Sequence, residues 1–452
     1  MTNSTAGLQA ADRPVGYLEL VKKNRDFRFL WLGQVVSLLG DWFNLIASAS
    51  LITLLTQSGL AVGGLFVVRM LAPFLISPLA GVVTDRYDRR RLLIMTDLTR
   101  AVTVLGFLFV RRPEDIWILY ALTAVQLGIS GVFFPARNAI LPDIVEEEEL
   151  GTANALSSAT WSVMLAVGAA LGGLVAGGWG LYPAFVIDSL TFLLSAVLIA
   201  QVAYRPEGLL SADGAQVAQA IRQYVDGLRY LWQNPAIAAL ALSKGAMGLT
   251  VSGAFEVFQV AIAEGVFRFG RGGSLGLGLL YMTVGIGTGL GPIVARWFTG
   301  DRPNALRRTL PLSFAAASAG LFLISPLLSF PVVIVGTLLR AVGAGVNWVM
   351  STQLLLITVP KHVRGRVFAS EFAFFTLATA TSAGSAGWLL DTPLGLSGSL
   401  RLLAGLALVP SLAWLAWFRW GPRAEPLAAG EPEPAEDVST GPQAPARPDI
   451  QG

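Results

Sequence analysis

Twelve apolar runs, each long enough to cross a lipid bilayer, follow one another along this chain at about 29–55, 61–84, 92–110, 116–134, 154–177, 182–202, 237–260, 275–298, 309–328, 331–352, 367–389 and 400–420. About twenty apolar residues span the hydrocarbon core. Inside it each backbone N–H and C=O must find its partner within the protein, which leaves helices as the structure for such runs. Of the 452 residues, 54% are hydrophobic and 13% charged, against roughly 25% charged in soluble domains. The expected fold is an all-α integral membrane protein with twelve transmembrane helices.

The charges set a direction. With the N-terminus placed inside, 23 of the 32 Lys and Arg residues fall in inner segments and 5 in outer ones, and Arg69, Arg100, Lys244 and Arg340 lie within runs. This is the positive-inside bias, and it predicts cytoplasmic termini. The net charge of +3 therefore reflects topology, not a nucleic-acid footprint. The first 28 residues are polar and basic, without the apolar stretch of a cleavable signal peptide. There is no cysteine and one histidine, His362, so disulfides, zinc–thiolate sites and histidine relays are excluded. No phosphate-binding loop or nucleophile–base pair is found. No metal, cofactor or enzymatic chemistry is expected.

The runs divide six and six around the longest internal loop. The expected organisation is a cytoplasmic segment 1–28, a six-helix bundle 29–202, a linker 203–236, a second six-helix bundle 237–420 and a disordered tail 421–452. In the linker Ile221, Tyr224, Leu228 and Leu231 recur at helical spacing, predicting an amphipathic helix on the inner membrane surface. The fourth and tenth runs are followed by similar proline turns, "ILPDIVEEEEL" and "ITVPKHVRGRV". Two related halves with a site near the bilayer midplane is the layout of a secondary transporter.

Asp41 stands alone in the first run. An ionisable group at that depth costs at least a few kcal/mol and faces a cavity or a partner rather than lipid. Offsets of 3, 7, 10 and 14 keep one helical face, so Gln34, Ser37, Asp41, Asn44 and Ser48 form a stripe. Similar stripes are Gln126, Ser130, Phe133 and Arg137 in the fourth run, Ser252, Glu256 and Gln259 in the seventh, and Arg340, Ala344, Asn347 and Ser351 in the tenth. Asp41 is about 18 Å and Arg69 about 22 Å from the inner ends of their runs, which predicts a pair at similar depth. Burial and a nearby arginine act oppositely on the proton affinity of a carboxyl group, so the pair is either a proton-loading site or a fixed salt bridge. Glu256 is a second proton site or a rim charge. Arg340 holds an anionic group or neutralises Glu256. Lys244 is expected to snorkel, and Asp97 and Arg100 to brace the basic loop. Trp161, Phe255, Phe258, Trp348, Phe374 and Phe375 are candidate apolar walls.

The loop "GVVTDRYDRRR" at 81–91 resembles the G-x-x-x-D-R-x-G-R-R motif of the major facilitator superfamily. Gly81, Asp85, Arg86, Arg89 and Arg90 are in register, with Asp88 where the family has glycine. The resemblance implies two pseudo-symmetric six-helix bundles, a cytoplasmic gate at this loop, and a central cavity enclosed by the first, fourth, seventh and tenth helices. Gln34, Ser37, Asn44, Gln126, Ser130, Arg340, Asn347 and Trp348 then become candidate cavity residues, and Asp41, Arg69 and Glu256 candidates for proton coupling. Segments "FRFLWLGQVVSLLGDWF", "FFPARNAILPDIV", "IDSLTFLLSA" and "VPKHVRGRV" are similar to the branch holding macrolide-efflux proteins and the enterobactin exporter. Asp188 would be an anchor within that signature. "GAALGG" at 168–173 resembles the antiporter motif G-P-x-x-G-G, with Gly168, Gly172 and Gly173 matched and Ala169 in place of proline. The fourth run lacks the arginine expected before its "QLGISG", while "RAVGAG" at 340–345 carries one.

The resemblance implies a proton-coupled exporter, an antiporter of a hydrophobic or amphipathic small molecule such as a drug, macrolide or siderophore-like compound. It would work as a monomer in a bacterial inner membrane, with the substrate, protons and the bilayer as partners. A proton-coupled importer or a lysophospholipid-type translocator is the alternative on the same fold.

Overall fold

The computed structural model describes residues 16–204, 225–300 and 302–421, and all regular structure among them is helical. A short α1 (Tyr17–Lys23) precedes α2 (Arg25–Thr56), α3 (Gly59–Arg86), α4 (Arg89–Leu105), α5 (Ile116–Ile144), α6 (Glu147–Gly178) and α7 (Leu181–Ile199). After α8 (225–233) come α9 (Pro235–Met247), α10 (Gly253–Ala261), α11 (Ser274–Thr299), α12 (Pro303–Ile324), α13 (Phe330–Thr358), α14 (Lys361–Leu390) and α15 (Gly395–Trp420). Side-chain caps fix several starts: Asn24 accepts from the Phe27 N–H, Ser58 from Ala61 and Asp88 from Arg91. Two π-turns, Gly248–Ser252 and Ile262–Val266, weld α9 and α10 into one span.

Ten of the described helices are long and apolar enough to cross a membrane. The expected ninth and eleventh runs fall on α12 and α14, which are also long but more polar. Arg307 and Arg308 dilute α12; Lys361, Arg364, Arg366 and Glu371 dilute α14. Several helices outrun the expected boundaries, two of them with consequences for the charged residues. The fourth run continues as helix through Pro135 and Pro142 to Ile144, and the seventh continues to Val266, which brings Glu264 into the helix. Residues 1–15, most of the linker (205–224, with Ile221 and Tyr224) and the tail beyond Gly421 lie outside the described residues. In α8, Leu228 is exposed but Leu231 is buried in the main core, and Asp226 pairs with Arg366 of α14 at 4.0 Å. This end of the linker helix thus packs against the bundle, rather than lying only on the membrane surface.

The helices pack as two groups, α1–α7 and α8–α15, that meet along α6 with α11 and α3 with α14. Lipid offers no hydrophobic drive between helices, so close approach through small residues supplies the contact. A Cβ on Gly173 would lie 2.9 Å from the Gly278 Cα and 2.9 Å from the Ser274 carbonyl oxygen, so α6 and α11 cross backbone to backbone. Gly59 and Gly63 of α3 approach Gly387 and Ala383 of α14 in the same way. The Asp391 carboxylate accepts from the Gly59 and Leu60 N–H groups at 3.3 Å each. These contacts lie toward one end of the bundle, called here the upper end, which carries Gln57 and Asp391. The lower end carries Tyr87 and Lys361, and both helices present exposed apolar side chains along their length, Leu60, Leu75 and Leu79 on α3 and Phe372, Leu377 and Trp388 on α14.

Candidate coupling and substrate site

Asp41, midway along α2, faces the first group of helices. Its carboxylate stands 3.9 Å from Arg100 Nη1 of α4, so the cation beside it is Arg100 rather than the expected Arg69. Side chains leave a helix in all directions around its axis, and depth alone does not choose among neighbours. The Arg100 side chain is almost fully buried. It pairs with Asp97 one turn earlier, donates to Ser130 Oγ at 3.2 Å and to Ser37 Oγ at 3.3 Å, and lies between the rings of Phe133 (4.5 Å) and Phe192 (4.2 Å). Asp97 and Arg100 therefore do not brace the basic loop; they form the centre of the first bundle.

A third carboxylate completes the group. Asp188 of α7 is fully buried beside Asn44 and Thr191, within electrostatic reach of Asp41 and Arg100, and neither of its oxygens has a partner in hydrogen-bonding geometry. Gly40 makes room for it, since any side chain there would overlap the Asp188 carboxylate and the Thr191 hydroxyl. Three carboxylates on three helices thus gather around one guanidinium. Asp41 alone among them is open, with 23% of its side chain exposed against 0% for Asp97.

The other expected stripe residues are buried in packing. Gln34 donates to the Ser157 carbonyl at 3.3 Å, Ser48 donates to Asn44 Oδ1 at 3.2 Å, and Ser130 donates to the Gln126 carbonyl at 3.1 Å. Arg137 donates to Ser157 Oγ at 2.5 Å. The Gln34 and Arg137 bonds tie α2 and α5 to α6, while those of Ser48 and Ser130 close within their own helices.

Across the gap, Glu256 of α10 accepts from Tyr281 Oη at 2.6 Å and Gln259 Nε2 at 3.0 Å. Tyr281 of α11 packs at 5.4 Å against Trp42, the neighbour of Asp41. Arg69, partly exposed, makes no hydrogen bond and no ion pair within 4.0 Å to a described residue, yet Tyr281, Asp41 and Glu256 all lie in its electrostatic range. Asp41 and Glu256 thus both fall in the field of Arg69, and neither bridges it directly. Buried Arg340 lies 4.0 Å over the Phe255 ring, with Glu256 in its electrostatic range. Sequence reading missed Tyr281, for which apolar surroundings left no signal.

Several other expectations change. Lys244 does not snorkel: it is buried, pairs with Glu371 at 2.9 Å, donates to Thr352 Oγ1 at 2.7 Å and sits 4.5 Å over Trp348. Phe255 and Phe258 are buried in the core and form no cavity wall. Trp348 is 41% exposed and packs at 5.0 Å on half-buried Phe375; Phe374 is half-buried and Trp161 exposed. Asn347 donates to Ser243 Oγ at 2.9 Å and Ser313 Oγ at 3.3 Å, joining α13 to α9 and α12. Ser351 is buried.

In the gate loop, Arg89 donates to Asp143 at 2.6 Å and to the Ala139 carbonyl at 3.0 Å, and Arg90 to the Ala200 carbonyl. These partners belong to the first bundle. Gly81 has open space around it, Arg86 is exposed, and the Asp85 side chain lies outside the described part. In the glycine motif, Gly168 meets Trp42, Gly172 meets Phe43 and Ile46, and Gly173 meets Gly278. Gly168 and Gly172 seat α6 on α2; Gly173 seats it on α11.

The profile of the Major Facilitator Superfamily matches residues 30–380. A protein of Bacillus amyloliquefaciens named as a bacilysin exporter, BacE, is 27% identical over 79% of this chain and 86% of its own length. The multidrug efflux pump Tap of Mycolicibacterium fortuitum is 27% identical over 73% of this chain and 79% of its own. Among solved structures, the nucleoside transporter NupG superposes with a TM-score of 0.70 at 12% identity, covering 87% of this chain and 99% of that one.

Proposed function

The chain belongs to the Major Facilitator Superfamily, a multi-pass membrane transporter and not an enzyme, and from that premise we propose that it is a proton-coupled exporter of a hydrophobic or amphipathic small molecule. In this reading twelve spans form two six-helix bundles, 29–202 and 237–420, with both termini cytoplasmic, and one copy suffices for transport. The lower end then faces the cytoplasm, and the glycine crossings of α6 with α11 and α3 with α14 hold the two groups together toward the outer end. Rocking of the bundles around the central charges gives alternating access.

The observation that carries the proposal is the charge balance around Arg100. Asp41, Asp97 and Asp188 are gathered around one guanidinium, and Arg69 adds a second positive charge only at longer range. Three carboxylates against two cations leave room for one exchangeable proton, and Asp41 is the member whose side chain is partly exposed. Arg69 lies in the field of both Asp41 and Glu256, so a proton or substrate arriving on either side changes what the other experiences. Exposed Trp348 with Phe375 offers an apolar shelf for the cargo. The export direction is supported by the relatives named as a bacilysin exporter and a multidrug efflux pump. The 81–91 loop acts as the cytoplasmic gate when the lower ends close.

The test is substrate-induced proton release from the purified protein, with macrolides and other amphipathic drugs as probes. Wild type should release protons on binding substrate, and Asp41→Asn should bind without release. Equal release from both would overturn the role of Asp41. Proton-driven accumulation inside right-side-out vesicles would overturn export.

A further inference from the structure

Away from the central charges, α11 and α12 diverge at the lower end of the second bundle. Between them, floored by α13, lies a groove of about 900 Å³, at the upper end of the range for ligand pockets. Its walls are apolar: Phe298 (77% exposed) on α11, Leu312 (66%) on α12, and Val342 and Val346 on α13. Its mouth carries Arg302 and Arg308, and the described lining contains no carboxylate. Arg302 uses Nε and Nη2 to hold the Thr299 and Phe298 carbonyls at 3.1 Å each, leaving Nη1 without a partner among the described residues. Arg308 is exposed and makes no hydrogen bond or ion pair to a described residue. The groove includes none of Asp41, Arg69 and Glu256.

We propose that this groove is a binding site for an anionic phospholipid of the leaflet at the lower end, its phosphate held by Arg302 and Arg308 and one acyl chain laid along Phe298, Leu312, Val342 and Val346. Charge at the mouth and apolar surface beyond it match an amphiphile with a negative head. The length fits as well. From Arg308 to Ala316 the wall rises about 12 Å, eight residues at 1.5 Å each, against roughly 15 Å for one leaflet of the hydrocarbon core. Guanidinium groups bind phosphate oxygens through charge-assisted hydrogen bonds, which a zwitterionic head with its own ammonium group satisfies less well.

The test is native mass spectrometry of the full-length protein titrated with phosphatidylglycerol or phosphatidylcholine. Wild type should retain phosphatidylglycerol preferentially. Arg302→Gln with Arg308→Gln should remove that preference, about fivefold in affinity per arginine. Leu312→Trp, which fills the groove and keeps both charges, should weaken both lipids. Equal binding of the two lipids by wild type would overturn the proposal. So would an equal loss from Arg86→Gln with Arg91→Gln, exposed charges on the other bundle, because the effect would then belong to the basic surface at large. Lipid retention is read without transport, so these outcomes are independent of the exporter assignment.

Discussion

Arg100 Nη1 lies 3.9 Å from the Asp41 carboxylate although the two residues are on helices separated by the whole of α3 in sequence. The guanidinium reaches Asp41 across the middle of the first bundle while keeping its pair with Asp97, so it ties two negative charges together. Removing it leaves buried carboxylates without a cation in contact, the costly way to break an ion pair. Arg100→Gln should lower stability by about 3–5 kcal/mol, read as a large drop in thermal unfolding temperature in detergent. Arg100→Gln with Asp97→Asn should recover much of that loss. A double variant no better than the single would separate Asp97 from the network.

Lys244 and Glu371 form the corresponding buried pair in the second bundle. Lys244→Met alone should destabilise by a similar amount, about 3–5 kcal/mol, because Glu371 is left unpaired. Lys244→Met with Glu371→Gln should be close to wild type. A thermodynamic double-mutant cycle measures the coupling, and additive losses would mean that the two side chains do not depend on each other.

At the upper end Ser50 of α2 donates to Glu264, and Ser274 of α11 lies 3.3 Å from the same hydroxyl. This polar contact joins the two bundles and must open if the upper end parts. A buried hydrogen bond is worth about 1 kcal/mol net. Glu264→Leu, which removes the acceptor, should therefore shift the balance toward an open upper end, by about fivefold for about 1 kcal/mol. The chain has no cysteine, so spin labels at Thr56→Cys and Thr392→Cys report the gap cleanly. An unchanged distance distribution would remove Glu264 from the gate.

Gly173 lies at a close backbone crossing of α6 and α11, where an added Cβ would stand 2.9 Å from the Gly278 Cα. Gly173→Val should force the helices apart, costing about 1–3 kcal/mol as overpacking, and Gly173→Ala should cost less. Thermal unfolding of the two variants checks the order. A valine tolerated without loss would mean that the crossing is looser than its geometry.

Much of the fold was readable in the sequence because lipid leaves few options. Runs of membrane length must be helices, and all twelve fall on long helices. The candidate site was readable in parts. Asp41, Arg69 and Glu256 stand out because a charge in an apolar run is expensive wherever it points. Their partners do not stand out in this way. Arg100 was visible as an intramembrane charge, but its spacing to Asp97 offered an equally good local explanation, and only the packing of α4 against α2 turns it toward Asp41. Asp188 looked like part of a signature because nothing in one dimension says that Gly40 opens a space for it. The polar stripes were real periodicities, but period reports a shared face and not what that face meets. Gln34 and Asn347 meet other helices.

The crossing of α3 and α14 gives the molecule a mechanical advantage. Gly63 touches α14 near the upper tip of α3, and 23 residues separate it from Arg86 at the lower tip, an arm of about 35 Å. Each degree of swing about that fulcrum carries the lower tip sideways by about 0.6 Å on such an arm. A tilt too slight to separate two glycines at the top therefore amounts to several ångströms at the bottom, so the lever can open a wide mouth while its bearing stays closed.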